Sequence, residues 1–119
     1  MSLASNIAIV VVALIHVYIL VLEMFLWDKP AGLRAFGQTQ AAASASKTLA
    51  ANQGLYNGFL AAGLFWSLAQ GADGFHSAIF FLTCVAIAGI YGAITASRKI
   101  LFVQTVPAVI ALVLVHFPK

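Results

Sequence analysis

Four apolar stretches alternate with shorter polar connections along the chain. They cover residues 6–27, 49–69, 75–97 and 100–117, and each has the length of about 17–25 residues that a membrane-crossing helix needs. Since no positive region precedes the first stretch, we expect it to be retained rather than cleaved as a signal peptide. The pattern predicts an all-α membrane protein with four transmembrane helices in an up-down bundle.

The connection between the first two apolar stretches, residues 28–48, is long for so small a protein. Within it, Leu33 and Phe36 are three residues apart beside Arg34, which predicts a short helix on the membrane surface. The alanine-rich segment that follows, QTQAAASASK, is compatible with a helix but is too polar to span. We therefore expect this connection to stay at the membrane surface.

Composition supports the membrane assignment. The chain of 119 residues is 63% hydrophobic and 8% charged, whereas a soluble domain carries roughly a quarter charged residues. At this length we expect a single domain, residues 1–119. Its one cysteine, Cys84, allows no intrachain disulfide. The aromatic residues lie in apolar runs rather than along a basic stripe, so we expect no nucleic-acid partner.

The basic residues are divided unequally between the two sides of the predicted bundle. Five of the six lie in the first and third connections: Lys29, Arg34, Lys47, Arg98 and Lys99. Only Lys119 falls on the opposite side. The positive-inside rule therefore predicts that both termini lie on the non-cytoplasmic side. The expected location is the cytoplasmic (inner) membrane, which the chain crosses several times.

Two titratable side chains, His16 and Glu23, lie inside the first apolar stretch. They are seven residues apart, which is about two helical turns, so they point the same way. A carboxylate at membrane depth is costly and rarely faces lipid. Glu23 would lie roughly 6 Å from the cytoplasmic end of its helix, with His16 about 10 Å deeper.

The other three stretches place hydrogen-bonding side chains near the depth of Glu23. Gln53 lies at about its level in the second stretch, and Tyr91 and Gln104 lie close to it in the third and fourth. We predict that these groups share one site. The candidate ligand-binding residues are Glu23, His16, Asn52, Gln53, Tyr56, Asn57, Tyr91 and Gln104.

Three functions remain open for this site. The first is a pocket in contact with the lipid bilayer that binds or translocates a small amphipathic or lipid-like molecule, with Glu23 as its ionisable anchor. The second is an intramembrane enzyme that uses His16 and Glu23 as acid and base on a lipophilic substrate such as a quinone or isoprenoid. In the third, the polar groups only hold helices together in a structural or accessory subunit.

Small residues and a proline mark the predicted helix contacts. Gly54, Gly58 and Ala62 recur every four residues, a spacing that lets another helix approach closely. Pro107 lacks a backbone donor and predicts a kink, or a free carbonyl at Val103. In a structural subunit or a homo-oligomer, four glycines would form the contacts. They are Gly54, Gly58, Gly89 and Gly92.

No metal or other cofactor is expected. A metal at the level of His16 would need further ligands, and His76 and His116 are placed toward the opposite side of the membrane. The sequence also contains no glycine-rich phosphate loop and no G-x-S-x-G segment. Nucleotide-dependent and serine-hydrolase chemistry are therefore not indicated.

Four blocks of the sequence resemble those of a known family. They are HVYILVLEMFLW at His16–Trp27, NQGLYNGFLAAGL at Asn52–Leu64, GIYGAIT at Gly89–Thr95 and QTVPA at Gln104–Ala108. In these blocks the chain resembles the bacterial membrane family catalogued as domain of unknown function 1304. The resemblance implies a four-helix integral protein of the cytoplasmic membrane, and it implies no particular activity.

Overall fold

The computed structural model describes residues 1–117, so Lys119, which entered the charge count above, lies outside the described residues. Five α-helices follow one another: α1 Leu3–Phe25, α2 Pro30–Phe36, α3 Gln40–Ala69, α4 Phe75–Thr95 and α5 Val106–Val115. A 3₁₀ turn, Gly71–Gly74, leads into α4, and a π-helical turn, Leu101–Thr105, leads into α5. These residues form helices and connections without any strand, which confirms the all-α prediction.

Local capping signals explain where three of the helices begin or end. Ser2 Oγ accepts a hydrogen bond of 3.1 Å from the amide of Ser5 at the start of α1. Thr39 Oγ1 accepts one of 3.1 Å from the amide of Ala42 at the start of α3. Both bonds satisfy amides that have no partner within the helix. Helix α2 ends at Gly37, whose φ of 62° is the left-handed conformation that glycine adopts without strain.

Helix α3 is longer than the predicted second span. It begins at residue 40 rather than 49 and has 30 residues, so it is about 45 Å long. Alanine has the highest helix propensity, and the alanine-rich segment therefore continues the apolar helix instead of forming a loop. The short helix predicted from Leu33 and Phe36 is present as α2. Its position on a membrane surface stays a prediction.

The described residues fall into two compact units. The first combines Met1–Ile15 with the chain from Leu60 onward, and the second is His16–Phe59. Helices α1 and α3 contribute residues to both units. The single domain expected from chain length stays a prediction.

The core of the first unit is aliphatic and rich in alanine. Small side chains at helix contacts let backbones approach closely, while the larger aliphatic groups fill the space between them. Its buried members come from α1, α3, α4 and α5: Ile9, Val12, Ala13, Leu64, Ala78, Leu82, Val85, Ala86, Ala108, Ala111 and Val115.

The π-helical turn before α5 fits tightly against α4. The amide of Val106 donates to the carbonyl of Leu101, five residues earlier. Pro107 has no amide hydrogen and interrupts the ordinary bonding pattern, and a π turn is one way in which a helix accommodates such an interruption. Thr105 Oγ1 then donates to the carbonyl of Ala86 at 3.0 Å. This buried bond links the turn to α4.

Two described helical segments are long and apolar enough to cross a membrane. Leu3–Phe25 has a mean hydropathy of 2.7, and Gly71–Thr95 has one of 2.1. Only 33% and 28% of their most apolar windows are buried within the protein, so most of these side chains point outward. Large exposed apolar surfaces mark contact with a membrane or a partner. These two segments support membrane association.

We predict that Gly89→Ala destabilises the protein more than Gly58→Ala. A Cβ at Gly89 would meet the backbone nitrogen of Thr105 at 2.8 Å, whereas one at Gly58 would meet only Cδ1 of Leu20, at 2.6 Å. The Leu20 side chain can rotate away, but the backbone at Thr105 has to shift. The free energy of unfolding should fall by about 1–3 kcal/mol in Gly89→Ala.

The free energy of unfolding should fall much less in the matched variant Gly58→Ala, because alanine stabilises the interior of a helix by roughly 0.5–1 kcal/mol relative to glycine. Reversible unfolding of both variants in the same detergent measures the difference. Equal losses would contradict the close backbone approach at Gly89.

Candidate functional site

The carboxyl group of Glu23 meets an amide on a neighbouring helix. Glu23 lies near the end of α1 and is 8% exposed. Its Oε1 accepts a hydrogen bond of 2.6 Å from Asn57 Nδ2 on α3. Among the residues that the structure describes, this is the one hydrogen bond that the side chain of Glu23 makes. An ionised carboxylate offers about four acceptor positions, so Oε2 keeps its capacity to bind another donor.

Glycines bring α3 close to α1 around this pair. A Cβ at Gly54 would meet Met24 Cγ at 2.6 Å and Glu23 Cβ at 3.1 Å. Gly54, Asn57 and Gly58 share one face of α3 because they are three and four residues apart. The small-residue spacing therefore serves a contact within the chain. It lets the short Asn57 side chain reach the carboxyl group.

His16 belongs to the same unit and the same face of α1. It is completely buried, with 0% exposure. Helical geometry places it about 10 Å from Glu23 along the axis. His16 and Glu23 thus both avoid the outer surface of the helix, where a charge in contact with lipid would be costly.

Three other candidates on α3 make no described hydrogen bond to Glu23. Asn52, Gln53 and Tyr56 are all exposed. Asn52 Nδ2 donates to the carbonyl of Thr48 at 2.9 Å, one turn earlier in the same helix. Tyr56 is 65% exposed and meets Phe59 edge to face, with 5.9 Å between ring centroids. Their role in binding stays a prediction.

The last two candidates lie in the first unit. Tyr91 on α4 is 69% exposed, and Gln104 is half-buried in the π-helical turn. Proline at 107 and the close approach at Gly89 set the local position of that turn. Participation of Tyr91 and Gln104 in a site with Glu23 stays a prediction.

Two polar contacts between the residues just after α1 and the first turns of α3 were not predicted. Trp27 Nε1 donates to Ser46 Oγ at 3.0 Å, and the ring of Trp27 lies 4.8 Å from that of Phe36 between centroids. Lys47 Nζ lies 3.2 Å from Asp28 Oδ2. We call these five residues the connection cluster. The sequence signal that could have revealed the connection cluster is the pair of opposite charges, Asp28 and Lys47, at the two ends of the connection.

Two open depressions are lined by residues of the first unit. One of about 300 Å³ is lined by Met1, Ala72, Phe75, Val115 and His116. The other, of about 330 Å³, is apolar and is lined by Ala8, Val11, Pro107 and Ile110. Within residues 1–117, no three His, Cys, Asp or Glu side chains are grouped to hold a metal ion.

Comparison with known proteins identifies the family. Residues 10–116 match the model of the family described as "Protein of unknown function (DUF1304)". The chain belongs to this family. All eight candidate residues of this DUF1304 protein lie inside the matched region, and the resemblance seen in the four sequence blocks is confirmed.

The DUF1304 chain is also similar to a curated relative. It is 30% identical over 115 residues to the uncharacterized protein YpaA of Lactococcus lactis subsp. lactis (strain IL1403). The alignment covers 95% of this chain and 97% of the relative. No solved structure matches.

We predict that Asn57→Ala lowers stability while Asn52→Ala has little effect. Removing the Asn57 amide leaves a buried carboxyl group without its hydrogen bond, which costs about 1–3 kcal/mol. Asn52 is the matched control because it is the same residue type on the same helix and bonds only to its own turn. Thermal unfolding of both variants tests this difference. A similar small effect in both would mean that the bond between Glu23 and Asn57 adds little.

A second prediction concerns the acid side of the stability profile. The hydrogen bond from Lys47 holds the pKa of the Asp28 carboxyl below its ordinary value of 3.8. Because the pKa is lower in the folded protein, the pair stabilises the fold above pH 3.8, and this contribution is lost as the pH falls through the folded-state pKa.

Lys47→Gln should therefore be less stable than the original protein near neutral pH, and the two should converge in strong acid. Lys47→Arg, which keeps the positive charge, is the control. A titration of the Asp28 carboxyl by NMR should show a higher pKa in Lys47→Gln. An unchanged pKa would show that the ion pair does not persist in solution.

Proposed function

We propose that this protein is a multi-pass protein of the cytoplasmic membrane with four spans and both termini outside the cytoplasm. Helices α1 and α4 have the length and hydropathy of spans. The apolar half of α3 and the apolar segment Leu101–Val115 form the other two. This arrangement places the five basic residues of the two connections on the cytoplasmic side, as the positive-inside rule requires.

Within the membrane, Glu23 and Asn57 hold the polar end of a small amphipathic or lipid-like molecule. The supporting observation is a carboxyl group that is 8% exposed and makes one described hydrogen bond. Polar groups in an apolar medium are costly unless their bonding capacity is used. A ligand that bonds to Glu23 Oε2 supplies a missing partner, so the apolar setting favours its binding.

Binding is favoured over the two alternatives. An acid and a base must both reach the reacting atoms within hydrogen-bond distance, and His16 and Glu23 are separated by about 10 Å along α1. A subunit contact through glycines is disfavoured because each proposed glycine already faces this chain's own residues. These are Gly54, Gly58, Gly89 and Gly92.

Mass spectrometry of small molecules retained after gentle extraction tests this function. Glu23→Gln is the decisive variant because the glutamine carbonyl can still accept the bond from Asn57, while the carboxyl group is lost. We expect a molecule that copurifies with the original protein and with the control Gln40→Ala, which removes an exposed amide at the start of α3, but not with Glu23→Gln.

Identical small-molecule content in all three samples would reject the binding function. If Glu23→Gln were also less stable than Gln40→Ala, the pair between Glu23 and Asn57 would be a structural contact between helices, and the third function above would replace the first.

A further inference from the structure

We infer that the site formed by Glu23 and Asn57 takes a cationic amphiphile, whose ammonium head group binds between the carboxylate and the amide oxygen. This inference rests on the proposed function and names the chemical class of its ligand. Three features of the second unit support it: the direction of the bond between the two residues, the pairing of nearby cations, and the exposed apolar side chains of the two helices.

The hydrogen bond between the two residues leaves two acceptors available. Asn57 Nδ2 donates to Glu23 Oε1, so the amide oxygen of Asn57, Oδ1, takes no part in that bond. Neither Glu23 Oε2 nor Asn57 Oδ1 takes part in another described hydrogen bond. An ionised carboxylate and an amide oxygen can only accept. A ligand that fills both positions must therefore donate, as an ammonium group does.

Among the described residues of the second unit, no lysine or arginine pairs with Glu23. Lys47 is 3.2 Å from Asp28, in the connection cluster. Lys29 and Arg34 are exposed, in the connection and on α2. A buried carboxylate is stable when a positive charge neutralises it. An ammonium head group provides that charge, whereas an anionic head group would be repelled and a neutral carbonyl head group would leave the carboxylate without a counter-charge.

Apolar side chains are also exposed on other faces of the two helices that carry Glu23 and Asn57. Val21 and Phe25 on α1 are 36% and 63% exposed. On α3, Leu55 and Phe59 are 44% and 55% exposed. Such side chains mark the helix surface as one that lipid tails contact, so an alkyl tail attached to the head group would extend into the same apolar surroundings. The ligand is therefore amphipathic rather than a small hydrophilic amine.

A binding titration with three probes of equal tail length tests the charge preference. The full chain in lipid nanodiscs is titrated with dodecylammonium, dodecanol and dodecanoate, and binding is followed by the fluorescence of Trp27 and Trp66. We expect dodecylammonium to bind about tenfold or more tightly than dodecanol, since hydrogen bonds to charged groups are the stronger ones. Dodecanoate should not bind.

Two variants decide whether Glu23 is responsible. Glu23→Gln should lose about tenfold or more of the affinity for dodecylammonium, and the control Gln40→Ala should keep it. The double variant Glu23→Gln with Asn57→Asp moves the carboxylate to the facing helix and preserves a carboxylate–amide pair. It should retain dodecylammonium binding, and it provides the test if the single variant does not fold.

The inference would be overturned if dodecanol or dodecanoate bound more tightly than dodecylammonium. It would also be overturned if dodecylammonium bound equally well with and without a carboxylate at Glu23 or at the relocated position. Its failure can be told apart from that of the proposed function. A neutral or acidic molecule that copurifies in a Glu23-dependent manner rejects the cationic ligand but keeps the binding site. If no retained molecule depends on Glu23, both are rejected.

Discussion

A carboxyl group inside an apolar helix needs a partner, and much of the local structure follows from how Glu23 obtains one. The partner is the Asn57 amide, 2.6 Å away on α3. Its side chain is short, so the two backbones have to approach closely. Gly54 permits this, since any Cβ there would collide with Met24. The polar pair and the small-residue spacing are parts of one arrangement.

The three polar contacts of the second unit also define how α1 and α3 run. Glu23 pairs with Asn57, Trp27 with Ser46, and Asp28 with Lys47. From Glu23 to Trp27 and Asp28 just beyond α1, the partners change from Asn57 to Ser46 and Lys47, which lie nearer the start of α3. The two helices are therefore antiparallel in this unit, which is the relation that an up-down bundle requires of consecutive spans. The contact between Glu23 and Asn57 is partly buried. The other two contacts lie just beyond the end of α1 and near the start of α3.

Close backbone approach has the same importance in the first unit. Between helices in lipid the hydrophobic effect provides little attraction, and packing of small residues and hydrogen bonds takes its place. Gly89 faces Thr105, and Thr105 donates to the carbonyl of Ala86. Pro107 disrupts the regular helix just beyond this point. Its visible consequence is a π-helical turn, a local form that the sequence argument from proline did not predict.

The sequence by itself determined the helical class, the approximate position of each apolar segment, and the burial of His16 and Glu23. These properties are local: length and hydropathy define a helix that is able to span, and the cost of exposing a charge in an apolar medium holds in any bundle. The alanine-rich segment before residue 49 was harder to place, because propensity favours a helix there while polarity argues against a span.

Only the tertiary structure decided which polar residue of α3 meets Glu23. Asn52, Gln53, Tyr56 and Asn57 all lie near the predicted depth, but side chains on a helix point in different directions around its axis. The rotation of α3 selects Asn57, and that rotation is set where Gly54 and Gly58 pack against α1. Such a contact joins residues far apart in the chain, so no pattern within one segment specifies it.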